Sequence, residues 1–304
     1  MCTRSGQVLE DYKGKSVFHL IAERAAEMAK KRNSLPAPSE AVMRKAIART
    51  IGLPEAIAIP KKPHVDEFAK MNMALVTEPG IEVRGTWHPT GKADPTVVYV
   101  HGLGRNADTD AIDKLVKSGY KVFAVDLRGF GDTAPSVPNL KPGAKPGPVG
   151  NDFRESFLAL HINRPLLGQR TYDLLAVVAY LKKSSVLPVH LVGVGAAGPI
   201  VLHAAALDPD IKSVTIEDSL ISWTAVTRAP INYNQLTNVV PGALALYDLP
   251  ELAAFIAPRP LTVRNAVDPL LEPVAQATLA AAYAKAELAY ESRGAGKNLR
   301  LQGK

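Results

Sequence analysis

Apolar positions along this chain follow two rhythms. Between Ser16 and Arg32, Val17, Leu20, Ile21, Ala25 and Met28 recur at helical spacing. Ser39 stands where it can cap a second helix that runs to Ile51 and is ended by Gly52 and Pro54. Beyond the connector Ile59-Pro60-Lys61-Lys62-Pro63 the pattern changes, and short apolar runs alternate with amphipathic stretches almost to the end. The runs predict strands over Met73 to Thr77, Ile81 to Trp87, Thr96 to Val100 and Lys121 to Val125, then Val189 to Val194, Ser213 to Glu217, Leu261 to Val267 and Leu299 to Gln302. Between them the pattern predicts helices over Asp108 to Ser118, Tyr172 to Lys183, Pro199 to Leu207, Leu249 to Ile256 and Pro273 to Arg293. Such alternation demands an α/β fold, a mainly parallel sheet with helices on both faces. The expected organisation is a helical appendage with its connector over 1–62, followed by an α/β domain over 63–304.

One interval breaks the alternation. Ala134 to Gln169 carries six prolines, Pro135, Pro138, Pro142, Pro146, Pro148 and Pro165, interleaved with Gly143, Gly147, Gly150 and Gly168. So long a loop inside a compact domain predicts either a cover over a cleft or a surface excursion. Composition adds little to this picture: with 304 residues and 47% hydrophobic positions there is ample material for a large core. No apolar run is long enough to span a bilayer, and no apolar segment follows Met1-Cys2-Thr3-Arg4-Ser5-Gly6, so neither a membrane partner nor a secretion signal is expected. The single cysteine, Cys2, excludes an intrachain disulfide and a cysteine-based metal cluster. Lys and Arg outnumber Asp and Glu 36 to 29, but the basic pairs are scattered and lack interleaved aromatics, so nucleic acid is not an expected partner.

Candidate chemistry concentrates where strands end. Val97 to Val100 runs into His101-Gly102-Leu103-Gly104, and Val122 to Val125 runs into Asp126-Leu127-Arg128-Gly129-Phe130-Gly131-Asp132-Thr133. A third run, His190-Leu191-Val192-Gly193-Val194, meets Gly195-Ala196-Ala197-Gly198-Pro199 and then a helical stretch. The second motif is similar to the D-x-R-G-x-G-x-[ST] run of α/β-hydrolases, and the third to their G-x-S-x-G turn, with Gly195 in the serine's place and Ala197 in that of the last glycine. With Ala257-Pro258-Arg259-Pro260 before the strand that leads to Asp268, the likeness covers about residues 75 to 270. It most resembles the acetylxylan-esterase-like and dienelactone-hydrolase-like branches. Ser222-Trp223, Asn234-Gln235-Leu236 and Tyr247-Asp248-Leu249-Pro250 resemble the second, degenerate domain of large two-domain bacterial acetylxylan esterases. On that likeness the chain would be the C-terminal half of an exported esterase; taken as complete, it reads as cytoplasmic.

The resemblance implies a nucleophile, an acid and a histidine in that chain order. Gly195 vacates the first position. None of the seven histidines, His19, His64, His88, His101, His161, His190 and His203, lies beyond the last strands, where the base belongs. Asp268 keeps the acid's place, either as a residual acid or as a cap of its own turn. His101, Gly102 and Leu103 form the candidate oxyanion loop, where main-chain amides turn toward a ligand. Arg128 and Asp218, with Asp132 and Glu217, are read as either ligand contacts or structural ion pairs, and Trp223 as a sugar platform or a packed side chain. Gly195 and Ala196 complete the binding candidates. Ser219 and Ser222 are weak candidates for a relocated nucleophile. No metal-ligand spacing is present, and no cofactor is expected. Gly193 to Gly198 also fits the dinucleotide fingerprint G-x-G-x-x-G, a rival reading. The expectation is thus an esterase-derived domain without serine-esterase activity, with an acetylated carbohydrate as ligand and a catalytic hydrolase domain or a second copy of itself as partner. The alternatives are an active hydrolase using a non-standard site and a dinucleotide-binding protein.

Overall fold

A computed structural model describes residues 3–36, 38–61, 64–65, 71–91, 94–135 and 150–304. Three helices precede the sheet: α1 (Val8–Tyr12), α2 (Val17–Ser34) and α3 (Glu40–Thr50). Sequence reading anticipated α2 and α3, including the cap at Ser39, whose side chain accepts from the Val42 amide. It missed α1, a single turn with no buried residue. Although α2 buries only Ala25, α3 inserts Met43 and Ile47, followed by Ile51, into the main hydrophobic core.

Nine strands then form one sheet: β1 (His64–Val65), β2 (Asn72–Glu78), β3 (Ile81–His88), β4 (Thr96–His101), β5 (Lys121–Asp126), β6 (Val189–Val194), β7 (Ser213–Glu217), β8 (Leu261–Arg264) and β9 (Leu299–Gln302). Their order is β1-β2-β3-β5-β4-β6-β7-β8-β9. The first four in space pair antiparallel, and every pairing from β5 onward is parallel. Alternate residues of the central strands serve different faces. Val97 and Tyr99 join a small cluster with Ile112 of helix α4 (Thr109–Lys117), whereas Val98 and Val100 join the large core. Burial on both faces is why β4 reads as a continuous apolar run rather than an alternating one. The large core is completed by α6 (Leu166–Ser184), α7 (Gly198–Leu207), α9 (Leu249–Ile256) and α10 (Gln276–Glu291).

The Pro- and Gly-rich interval is less irregular than expected. Residues 136–149 of it lie outside the described residues. The rest contains helix α5 (Phe153–His161), and α6 starts at Leu166, six residues before its expected beginning at Tyr172. Averaging over the interval hid this: between Gly150 and Pro165 there is no proline or glycine, so nothing interrupts a helix. The strand expected to reach Val267 stops at Arg264, because Asn265 turns to φ +50. Helix α10 begins three residues later than expected, after the turn that this break introduces.

Several charged groups inside the fold are paired. The Arg170 side chain is 1% exposed and bonds Asp152 at 2.8 Å, the Thr237 hydroxyl and the Arg128 carbonyl. It thereby joins α6 to the residue before α5 and to the turn Leu236–Asn238. Replacing it leaves Asp152 largely buried without its cation. Arg170→Met is therefore expected to cost about 3 kcal/mol in urea denaturation, well beyond the loss of a surface pair.

Candidate functional site

The parallel strands end at one edge, and there β6 turns sharply into α7 through the single turn Gly195–Ala197. Gly195 has φ +62, the left-handed region that an L-residue enters at a cost, and a side chain placed on it would meet nothing within 4 Å. A strand-bend-helix is thus present, with open space beside Gly195. Sequence reading counted Ala197 as a second departure from the pattern. Ala197 is in fact fully buried without difficulty, and the close approach falls one residue later, where a Cβ on Gly198 would lie 2.0 Å from the Ser219 hydroxyl.

Facing the bend is the loop after β4. Its Gly102 amide donates to the Val194 carbonyl at 3.0 Å, fastening the loop to β6. The Leu103 amide donates to His101 Nδ1, also at 3.0 Å. Because Nδ1 accepts, the proton of the neutral ring sits on Nε2. Burial lowers the His101 pKa, against the opposing pull of Asp108 and Asp218, so the ring is neutral near pH 7. The Ala196 amide, in the first turn after the bend, has no helical acceptor and is a further donor at this edge.

These groups border a cavity of about 400 Å³. His101, Gly102 and Leu103 lie along it with Gly195 and Ala196. A polar wall comes from Asp218, Tyr233, Asn234, Gln235 and Asn238, and an apolar one from Leu220, Val267, Leu271 and Pro273. Six of the sequence-level candidates therefore converge: His101, Gly102, Leu103, Gly195, Ala196 and Asp218. The amide-bearing wall was missed as a site, although the crowding of Asn232, Asn234, Gln235 and Asn238 into one short segment was visible in the sequence.

Three candidates stand apart from the cavity lining. Arg128 is held by Asp173 at 2.6 Å, Glu78 at 2.7 Å and Gln169 at 3.0 Å. Burial works against its charge, but Asp173 and Glu78 outweigh that and hold its pKa above the ordinary value. Trp223 is buried, donates from Nε1 to the Asn238 carbonyl at 2.9 Å and packs against His203 and Tyr247. Asp268 accepts from the amides of Leu270 at 2.8 Å and Glu272 at 2.9 Å, which makes it the cap of its own turn. That turn holds Leu271, a cavity residue, at φ +68. Asp132 pairs with Arg105 and Glu217 with Arg264. Ser219 is buried, Ser222 caps the short helix α8 (Trp223–Arg228), and neither lines the cavity. A close Ser–His pair does exist, Ser213 with His190 at 2.6 Å, but it lies at the opposite, N-terminal edge of the sheet. The G-x-G-x-x-G run sits on β6 in the middle of the sheet, where the hydrolase fold carries its bend. Among the described residues no group of three His, Cys, Asp or Glu side chains could hold a metal ion, and no helix is long and apolar enough to cross a membrane.

The family model for the alpha/beta hydrolase fold matches residues 95–239, the stretch that holds both loops and the bend. With the sheet order, this makes the chain an α/β-hydrolase-fold protein. Comparison with curated proteins gives no match. Among solved structures, a candidate acetyl xylan esterase from Bacteroides fragilis is similar over 100% of this chain and 84% of its own, with TM-score 0.69 and 14% identity. A methylesterase is similar over 92% of this chain and 62% of its own, so the chain spans less than two thirds of that protein, with TM-score 0.63 and 17% identity. An acetyl xylan esterase from Paenibacillus sp. R4 aligns over 91% and 92%, with TM-score 0.52 and 16% identity. At these identities the likeness is one of fold.

Two outcomes check this description. Asp268→Ala removes a capping acceptor and is expected to lower stability by about 1 kcal/mol, while Asp268→Asn keeps an oxygen for the same amides and loses less. Equal losses in urea denaturation would contradict the capping role. His203, fully buried on α7 between the Pro199 carbonyl and the Tyr247 hydroxyl, has its pKa depressed by burial to about 4. Below its ordinary value of 6.5 the unfolded chain gains a proton that the native ring refuses until about pH 4, so stability falls as pH drops through that window. His203→Gln removes the contribution, and its denaturation midpoint should change less steeply between those pH values.

Proposed function

We propose that this chain is a non-hydrolytic α/β-hydrolase-fold domain that binds a small ligand at the mouth of its sheet, as partner to a catalytic hydrolase domain or to a second copy of itself. The observation that carries this reading is Gly195 at φ +62 in the bend, where an esterase of this fold would expose its nucleophile. Two further facts support it. The described histidine beside the bend, His101, has Nδ1 engaged by Leu103 and Nε2 protonated, which suits it to donate to a ligand rather than to take a proton from one. Asp268 is engaged by its own turn. The similarity to proteins named as acetyl xylan esterases supports an acetylated carbohydrate as the ligand class and esterase ancestry as the origin of the fold.

A competing reading, a hydrolase in which His101 or Asp268 activates water against a small ester, draws on one observation, the place of His101 in the cavity wall. An assay separates the two. Purified protein is offered p-nitrophenyl acetate and acetylated xylan beside a His101→Ala/Asp268→Ala variant, and no turnover above buffer is expected from either. Turnover by the wild type that the double change abolishes would overturn the proposal. Gly195→Ser supplies the missing hydroxyl into open space at a conformational cost of about 1 kcal/mol. Without a base to activate it, the new serine should raise p-nitrophenyl acetate turnover by less than roughly tenfold.

A further inference from the structure

Most carboxylates around this edge of the sheet have a partner. Asp268 receives two amides, Glu217 faces Arg264 at 3.4 Å, Asp108 caps α4 through the Ala111 amide, and Asp126 and Asp132 share Arg105. Asp218 differs. Its amide donates to the Arg264 carbonyl at 3.1 Å, but its carboxylate has no hydrogen bond or ion pair among the described residues, and it borders the cavity. It is also one of the few non-glycine residues at positive φ, +50, a conformation in which the turn after β7 sets the side chain's direction. Among the described residues no lysine or arginine lines the cavity, although the chain as a whole carries a formal charge of +7.

The adjoining wall is polar and uncharged over Tyr233 to Asn238. Gln235 Nε2 donates to the Tyr233 carbonyl at 3.1 Å, and Asn238 Nδ2 donates to Gln235 Oε1 at 3.3 Å, so one N–H of each amide is engaged within the wall. Asn234 Oδ1 is buried beside Gly150 and receives no donor among the described residues. Beside this wall and Asp218, Leu103 and Leu271 are 60% and 43% exposed, leaving apolar surface for the rest of a ligand.

We propose that the cavity selects small molecules that bear hydroxyl or ammonium donors and no negative charge, and that Asp218 is the residue that makes the selection. The inference rests on reading the cavity as a ligand site. A donor group satisfies Asp218, whereas a carboxylated ligand would bring like charge against an acid that has no cationic partner among the described residues. An acylated, hydroxyl-bearing molecule meets both surfaces. The free acid that hydrolysis would release is excluded.

The test uses three probes of one ring size, methyl β-xyloside, a methyl glucosaminide and a methyl glucuronide, titrated at millimolar concentration by saturation-transfer NMR. Wild type is expected to bind the glucosaminide and the xyloside and to bind the glucuronide roughly tenfold more weakly. Asp218→Asn is the matched variant, because asparagine keeps the shape and adopts positive φ as readily as aspartate. It should lose the preference for the amine and admit the glucuronide. The proposal is overturned if wild type binds the glucuronide as well as the xyloside, if the order survives in Asp218→Asn, or if none of the three probes binds. Turnover of p-nitrophenyl acetate would sink the non-hydrolytic reading and leave this ranking standing, so the two failures are distinguishable.

Discussion

The bend between β6 and α7 is the constraint on which the rest of the site depends. A parallel strand can deliver a helix directly over the sheet edge only if the chain reverses within one turn, and that requires the left-handed backbone found at Gly195. The helix then packs so tightly that Gly198 touches Ser219, which fixes the end of β7 and hence the position of Asp218 one residue earlier. The loop after β4 is fastened to the same strand by the Gly102–Val194 hydrogen bond. Bend, loop and acid therefore form a single rigid edge, and the cavity is the space it leaves.

Around that edge the fold disposes of its charges in pairs. Arg105 serves Asp126 and Asp132, Arg128 serves Asp173 and Glu78, and Arg170 serves Asp152. Breaking a buried pair leaves an uncompensated charge, so these arginines are held structurally and are poorly placed to turn toward a ligand. A carboxylate left outside this scheme at the cavity, as Asp218 is, stands out against it.

Much of the architecture was legible in the sequence because burial on both sheet faces writes itself as apolar runs such as Val97–Val100, and because caps such as Ser39 announce helix starts. The bend was legible too, since small residues at 193, 195 and 198 follow a strand. What escaped was set by long-range contact. Arg128 lies in the D-x-R-G-x-G-x-[ST] run, yet Asp173, 45 residues away, claims its guanidinium. Trp223 could stack on a sugar or be buried, and the decision is made by Tyr247 and His203 from other elements. The polar wall at 233–238 carries no periodicity at all; its amides become a surface of the cavity only once the turn folds back across the sheet. Helix α5 was hidden by neighbouring prolines that belong to a different stretch of chain.

The buried guanidinium of Arg170 has one more consequence. It grips Thr237 and, through Asp152, the start of α5, so the amide wall of the cavity is anchored to the sheet-side helix α6 rather than hung from a free loop. Ordering of that wall is completed when the protein folds. A guest arriving later encounters a surface already rigid, and its association is relieved of the entropy loss that a floppy wall would impose.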